Sequence, residues 1–175
     1  SGITLWRWLS ADALQPWRHR SWIFPRDPQF AETAGRVLDL YARTWKGTRL
    51  RRDEFVISAD EKPSLQARRR KHATLPPGRG RPMRIEHEYF RTGALTYLAA
   101  WDVHRAKLFG RCEPKTTIGA VDQLVRQVMT TEPYRSARRV FWIADNCSSH
   151  RGDKAAARLR AQWPRLTLVH TPIHA

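Results

Sequence analysis

The sequence is poor in acid. Sixteen Asp and Glu stand against thirty-two Lys and Arg in 175 residues, a formal charge of +16. A field of that sign opposes cationic partners and favours polyanions. Nucleic acid is therefore the first partner that composition predicts, with binding that weakens steeply as salt rises. A merely solvated, arginine-rich surface is the competing reading of the same count. Cysteine is nearly absent, with only Cys112 and Cys147 present. That excludes a disulfide framework and fits a reduced, cytosolic chain. Cys147, His150, His170 and His174 could be imagined as a zinc set, but their spacing matches no finger pattern. No stretch approaches the ~18 consecutive apolar residues of a membrane span, so no membrane partner is expected. There is no initial Met and no signal peptide, and the chain stops at "HTPIHA" within an ordered pattern. The expectation is one compact domain taken from a longer protein, incomplete at both ends.

What is present reads as an alternation of elements. "SGITLWRWL" has the character of the end of a helix. Residues 10–27 hold Pro16 and Pro25 among arginines and read as a linker or arm. Trp6, Trp8, Trp17 and Trp22 in this first stretch are expected to pack on the core, with DNA contact as the alternative. Asp27 and Pro28 predict a helix start. Phe30, Ala34, Val37, Leu38, Tyr41 and Trp45 then mark one helical face that Gly47 ends. Residues 54–60 read as a strand, and 61–84 as a basic loop around "LPPGRGRP". "MRIEHEYF" reads as a strand, "RTG" as a turn, and "ALTYLAAWDV" and "KLFGRC" as two more strands of an antiparallel meander. Val121, Leu124, Val125, Val128 and Met129 predict a helix over 117–131 that Pro133 stops. "RRVFWIAD" is the near-continuous apolar run of a strand buried on both faces. A helix capped by Ser148 or Ser149 and running to Trp163, then a strand at 166–171, complete a mixed sheet with helices on its faces.

Two of these strands carry the same oddity. Apolar residues lead into Asp60 in one and Asp145 in the other. If the strands are adjacent and parallel, the two carboxylates lie ~4.8 Å apart at the carboxyl edge of the sheet, where ligands of open α/β sheets bind. They would repel unless a cation sat between them. Magnesium takes oxygen ligands of this kind and suits phosphoryl transfer. An Asp can also simply end a strand or cap a turn. Strand-end Asp pairs occur in phosphohydrolases too, so the residues alone leave nuclease and phosphatase open.

"ISADEKPSLQAR", "RIEHEYFRTGALTYLAAWDVH", "FWIADNCSSHRG" and "HTPIHA" together resemble the DDE transposases of bacterial insertion sequences related to the mariner superfamily. The resemblance runs over nearly the whole chain, with the motifs in the family's order. It implies an RNase H-like (retroviral-integrase-like) fold: a mixed five-stranded sheet flanked by helices, spanning 28–175, after the tail of a helix-turn-helix region and a linker in 1–27. It implies that Asp60 and Asp145 are the first two acids of an Asp-Asp-Glu triad. Magnesium or manganese would bind there, as two ions in the full-length enzyme, for cleavage and joining of DNA ends in transposition. It further implies DNA partners (transposon ends and target), a homodimer in the full-length protein, and a cytoplasmic, nucleoid-associated location.

The family's third acid is a Glu on a helix beyond the motif that matches "HTPIHA", so these 175 residues lack it. Among resident acids, Glu61 is expected on the opposite face of its strand, Asp102 in the meander at a strand end, with a place near the site as the alternative, and Asp153 in the first turn of a helix; none is a convincing replacement. The last catalytic helix is thus expected to be missing and the chain inactive alone. Arg68, Arg69, Arg70, Lys71, Arg79 and Arg81 are the expected phosphate contacts, and Asn146 and His150 are expected to shape the site. The alternatives are a non-catalytic DNA-binding remnant of a degraded insertion sequence and a host nuclease of the same fold.

Overall fold

The computed structural model describes residues 1–11, 27–146 and 153–173. Helix α1 (Gly2–Ala11) comes first, then α2 (Phe30–Tyr41) and a small hairpin of β1 (Thr44–Trp45) and β2 (Thr48–Arg49). The main sheet is built from β3 (Glu54–Arg70), β4 (Tyr89–Asp102), β5 (Lys107–Glu113), β6 (Arg139–Ala144) and β7 (Leu166–His170). Helix α3 (Ile118–Met129) precedes β6, and α4 (Asp153–Gln162) precedes β7. The strand order is β5-β4-β3-β6-β7. β3, β4 and β5 form the antiparallel meander, while β3, β6 and β7 run parallel. Parallel neighbours need crossovers, and α3 and α4 lie in the two connections.

The alternation of the central strands separates two cores. Ile57, Val140, Trp142 and Ala144 share one core with Val121, Leu124, Val125, Val128 and Met129 of α3, all of them buried. Val56, Phe141, Ile143 and Val169 face Leu40 of α2. β6 is buried on both faces, which is why its sequence shows no polar alternation. Thr117 caps α3 by accepting the amide of Ala120 at 3.1 Å.

Several local expectations need correction. Helix α2 ends at Tyr41, and Gly47 is not its stop. Lys46 (φ 50°) and Gly47 (φ 75°) instead turn the β1–β2 hairpin, where two positive φ angles match the strand twist. Leu38 and Tyr41 face solvent, and the buried position is Leu40. Asp27 accepts the Gln29 amide at 2.8 Å ahead of the helix, whose first cap position is Gln29. Trp6 and Trp8 are 58% and 65% exposed and do not pack on the core. Trp17, Trp22, Cys147, Ser148, Ser149, His150 and His174 lie outside the described residues.

The largest correction concerns 61–93. β3 does not end at Asp60 but continues to Arg70, paired with β4 from Tyr89 onward. Arg91, Thr92 and Gly93 lie inside β4 at a register shift, where Gly93 takes φ 146°. A bulge needing a glycine conformation had the sequence signature of a turn. Of "MRIEHEYF", only Tyr89 and Phe90 belong to a strand. β5 pairs with β4 no further than Thr96, and β6 pairs with β3 no further than Ser58. Beyond those points the β3–β4 ribbon leaves the sheet as a two-stranded arm. Its distal end folds back through bridges between Leu75 and Arg84 and between Gly78 and Arg81.

Candidate active site and basic arm

The register of β3 on β6 fixes the acid pair. Ser58 pairs with Ile143, as does every earlier couple back to Glu54 and Arg139, at a constant sequence offset of 85. Asp60 and Asp145 have the same offset and stand two residues beyond the last couple, level with each other. Alternation puts Asp60 on the face of Val56 and Ser58, and Asp145 on the face of Phe141 and Ile143, the α2 side of the sheet. Both residues are exposed at the carboxyl edge. The Asp60 Oδ1 accepts the Glu61 amide at 2.8 Å, which restrains the carboxylate. Asn146 donates its Nδ2 to the Thr171 carbonyl at 2.7 Å, while the Thr171 amide donates to the Ala144 carbonyl at 3.0 Å. The residues flanking Asp145 are therefore bonded to the end of β7.

The other acids sit elsewhere. Asp102 ends β4 and is fully buried. It accepts the Tyr134 hydroxyl at 2.7 Å and the amides of His104 and Arg105 at 3.1 Å each. It pairs with Ile57, three residues before Asp60, and its oxygens are committed to structure. Glu61 lies on the other side of β3 from Asp60 by alternation. Asp153 is the first residue of α4. Among the described residues, no group of three or more His, Cys, Asp or Glu is placed to hold a metal ion, and no helix follows β7.

The basic residues assigned to a loop belong to the arm. Arg68, Arg69 and Arg70 are in β3, roughly 26–33 Å along the strand from Asp60 at ~3.3 Å per residue. Arg79 and Arg81 are at the arm's tip, where the amides and carbonyls of Gly78 and Arg81 bond reciprocally at 2.9 Å. The sequence reading missed the aromatic residues interleaved with these cations. The Arg68 guanidinium stacks 4.2 Å from the Tyr89 ring centroid, and Arg69 and Lys71 each lie 5.7 Å from that of Phe90. Lys71 also pairs with Glu88 at 2.6 Å, and Arg70 donates to the Glu86 carbonyl. Glu86 accepts His72 at 2.6 Å, and that bond chiefly holds its carboxyl below the ordinary range. The signal available in the sequence was "EYFR", two aromatic residues beside Arg91 opposite a run of cations.

No protein-family model and no curated protein matches the sequence. Among solved structures the chain is similar to the Mos1 mariner paired end complex with Mn, with a TM-score of 0.51 and 17% identity over 95% of this chain and 51% of that one. It is also similar to a pre-cleavage Mos1 transpososome, with a TM-score of 0.50 and 16% identity over 87% of this chain and 46% of that one. The chain thus spans about half the length of the structures it matches. The likeness is one of fold: an RNase H-like mixed sheet with flanking helices, as in a mariner-like DDE transposase core.

Proposed function

We propose that this RNase H-like domain is the catalytic core of a DNA transposase, acting in cleavage of transposon ends and joining of the freed 3′-hydroxyl to target DNA. The single observation that supports the reading most is the register that sets Asp60 level with Asp145 on adjacent parallel strands. Two exposed carboxylates on one face suit a hard divalent cation, because each offers oxygen donors at little desolvation cost. Asp60 and Asp145 would hold magnesium or manganese, which when bound would favour deprotonation of the attacking oxygen and offset charge on the phosphoryl group. A second ion would need the Glu that the family supplies from outside these 175 residues. β3 supports Asp60 within a continuous strand, and the Glu61 amide restrains its carboxylate. Asn146 limits the freedom of the segment carrying Asp145 through its bond to Thr171. Arg68, Arg69, Arg70, Lys71, Arg79 and Arg81 contact backbone phosphates along the arm, away from the scissile bond. The working unit is a homodimer that brings two DNA ends together.

Titration with Mn²⁺ followed by electron paramagnetic resonance tests the core of this reading. The 175-residue chain should bind the ion, and Asp60→Asn and Asp145→Asn should each weaken binding at least about tenfold, as loss of one of two charged ligands implies. Strand cleavage on a labelled transposon end should be weak or absent with magnesium for these 175 residues and appear when the acid set is complete. Manganese affinity indifferent to both substitutions would sink the proposal.

A further inference from the structure

The opposite end of the sheet carries a second concentration of positive charge. At the amino-terminal edge of β3, an open cavity of about 730 Å³ is lined by Arg43, Arg49, Arg52 and Arg105, with His104, over Leu50, Phe55 and Pro133. A second cavity of about 380 Å³ shares Arg49, Leu50 and Glu54 with it and adds Lys46 and Arg138. The two form one strip rather than two sockets. Glu54 and Asp102 also line the strip and subtract two charges, which leaves Arg43, Arg49, Arg52, Arg105, Lys46 and Arg138 in clear excess. Asp102 is committed to Tyr134 and two amides. Glu54 is buried, accepts the Arg51 amide at 2.9 Å, and lies 3.7 Å from Arg139. Crowded like charges raise the potential of a concave surface, and a polyanion is what lowers it.

We infer that this strip is a second binding surface for the phosphate backbone of duplex DNA, separate from the acid pair. Its chemistry is that of backbone contact: guanidinium groups over an apolar floor, which fix position without reading sequence. Its elongated form fits a strand bearing one charge per ~3.4 Å better than it fits a single compact anion. Glu54 and Asp60 are six residues apart on β3, so the strip lies roughly 20 Å from the acid pair. That is about six base pairs, enough for one domain to hold DNA at both ends of its central strand. The arm extends from the carboxyl end, so the strip and the arm grip on opposite sides of the acids.

The test compares two triple variants by fluorescence anisotropy on a 20-base-pair duplex of arbitrary sequence across a salt series. Arg49, Arg52 and Arg105 changed together to Gln removes the strip's charge. Lys115, Arg126 and Arg160, all exposed and away from it, changed together to Gln removes the same charge elsewhere. The strip variant should bind about 30-fold more weakly than the native chain near 200 mM salt and lose between two and three units of salt slope. The control should shift affinity only a few-fold. Lys at Arg49, Arg52 and Arg105 should restore most of the slope, which also guards against misfolding of the Gln variant. Equal loss in both Gln triples would overturn the inference. Saturable binding of pyrophosphate with duplex affinity unchanged in the strip variant would also overturn it, by making the site a small-anion socket. Manganese binding at Asp60 and Asp145 should be intact in the strip variant, and Asp60→Asn should leave the strip's contribution to DNA binding in place, so the two proposals fail separately.

Discussion

Tyr134→Phe tests the buried pair that closes the lower end of the sheet. Tyr134 is fully buried, with its ring edge-on to Phe55 at 5.1 Å and Phe109 at 5.5 Å. Its hydroxyl donates to Asp102 at 2.7 Å. Phenylalanine keeps the ring packing and removes only the donor, leaving one oxygen of a buried carboxylate unsatisfied. The loss of a hydrogen bond to a charged group costs about 1.5–3 kcal/mol. In a domain of this size that lowers the melting temperature by roughly 3–12 °C, at ~2–4 °C per kcal/mol. Equilibrium urea unfolding measures the loss directly. The pair also predicts an alkaline signature. Burial first, and then the bond to Asp102, raise the Tyr134 pKa above its ordinary value. The folded state thus favours the neutral phenol, and the stability it contributes is full below pH ~10 and declines above it as an unfolded tyrosine ionises. The decline attributable to this one group is about 1.4 kcal/mol per pH unit, and Tyr134→Phe should lack it. Unchanged urea stability together with an unchanged alkaline limb would refute the reasoning, because it would mean that Asp102 does not depend on this donor.

Two further outcomes follow from local geometry. A side chain built on Gly110 would collide with the Tyr97 ring, including its hydroxyl and Cε2, so the ring covers the glycine across the β4–β5 pair. Gly110→Ala should cost about 1–3 kcal/mol in urea unfolding, and truncating Tyr97 in the same chain should recover part of it. At the arm, the bond from His72 that lowers the Glu86 carboxyl should order the distal ribbon. Because the folded value is the depressed one, that contribution is present above the ordinary carboxylate pKa and is lost as pH falls through the lowered value. Amide protection in residues 71–88, taken relative to the intrinsic exchange rate at each pH from 6 downward, should fall in the native chain and be low throughout in Glu86→Gln.

The parts of the fold that were legible in the sequence are those with a core on a defined side. Helix α3 exposed its register because five apolar residues at helical spacing meet β4 and β5 on one face. β6 was legible because burial on both faces removes every polar residue after Arg139. The acid pair followed from these strands, since the offset of 85 is the register itself. The arm was illegible for the complementary reason. A two-stranded ribbon outside the sheet has no core to impose alternation, and Leu65, Phe90 and Leu95 are all at least 38% exposed. Charge on both of its faces then reads as loop. In α2, both Leu38 and Leu40 were available to an apolar face, and only packing against Val56 and Phe141 selected Leu40.

That arm also changes what Asp60 is. A residue at a strand terminus could shift with the loop that follows, whereas Asp60 sits inside a strand that continues for ten more residues to Arg70. β6 stops at Ala144 while β3 runs on, so the acid pair occupies a step in the sheet. Just past it, the register shifts between Lys62 and Leu65, where Ser64 takes φ 59° and Pro63 can donate no ladder bond. The same level is where β5 ceases to support β4. Below this irregularity the acids belong to a five-stranded sheet with a core on each face; above it the ribbon has one partner per strand. Bulges bend and twist the strand that carries them. The break therefore divides the arm from the sheet, and the ladder from Glu54 to Ser58 on its sheet side sets Asp60 level with Asp145.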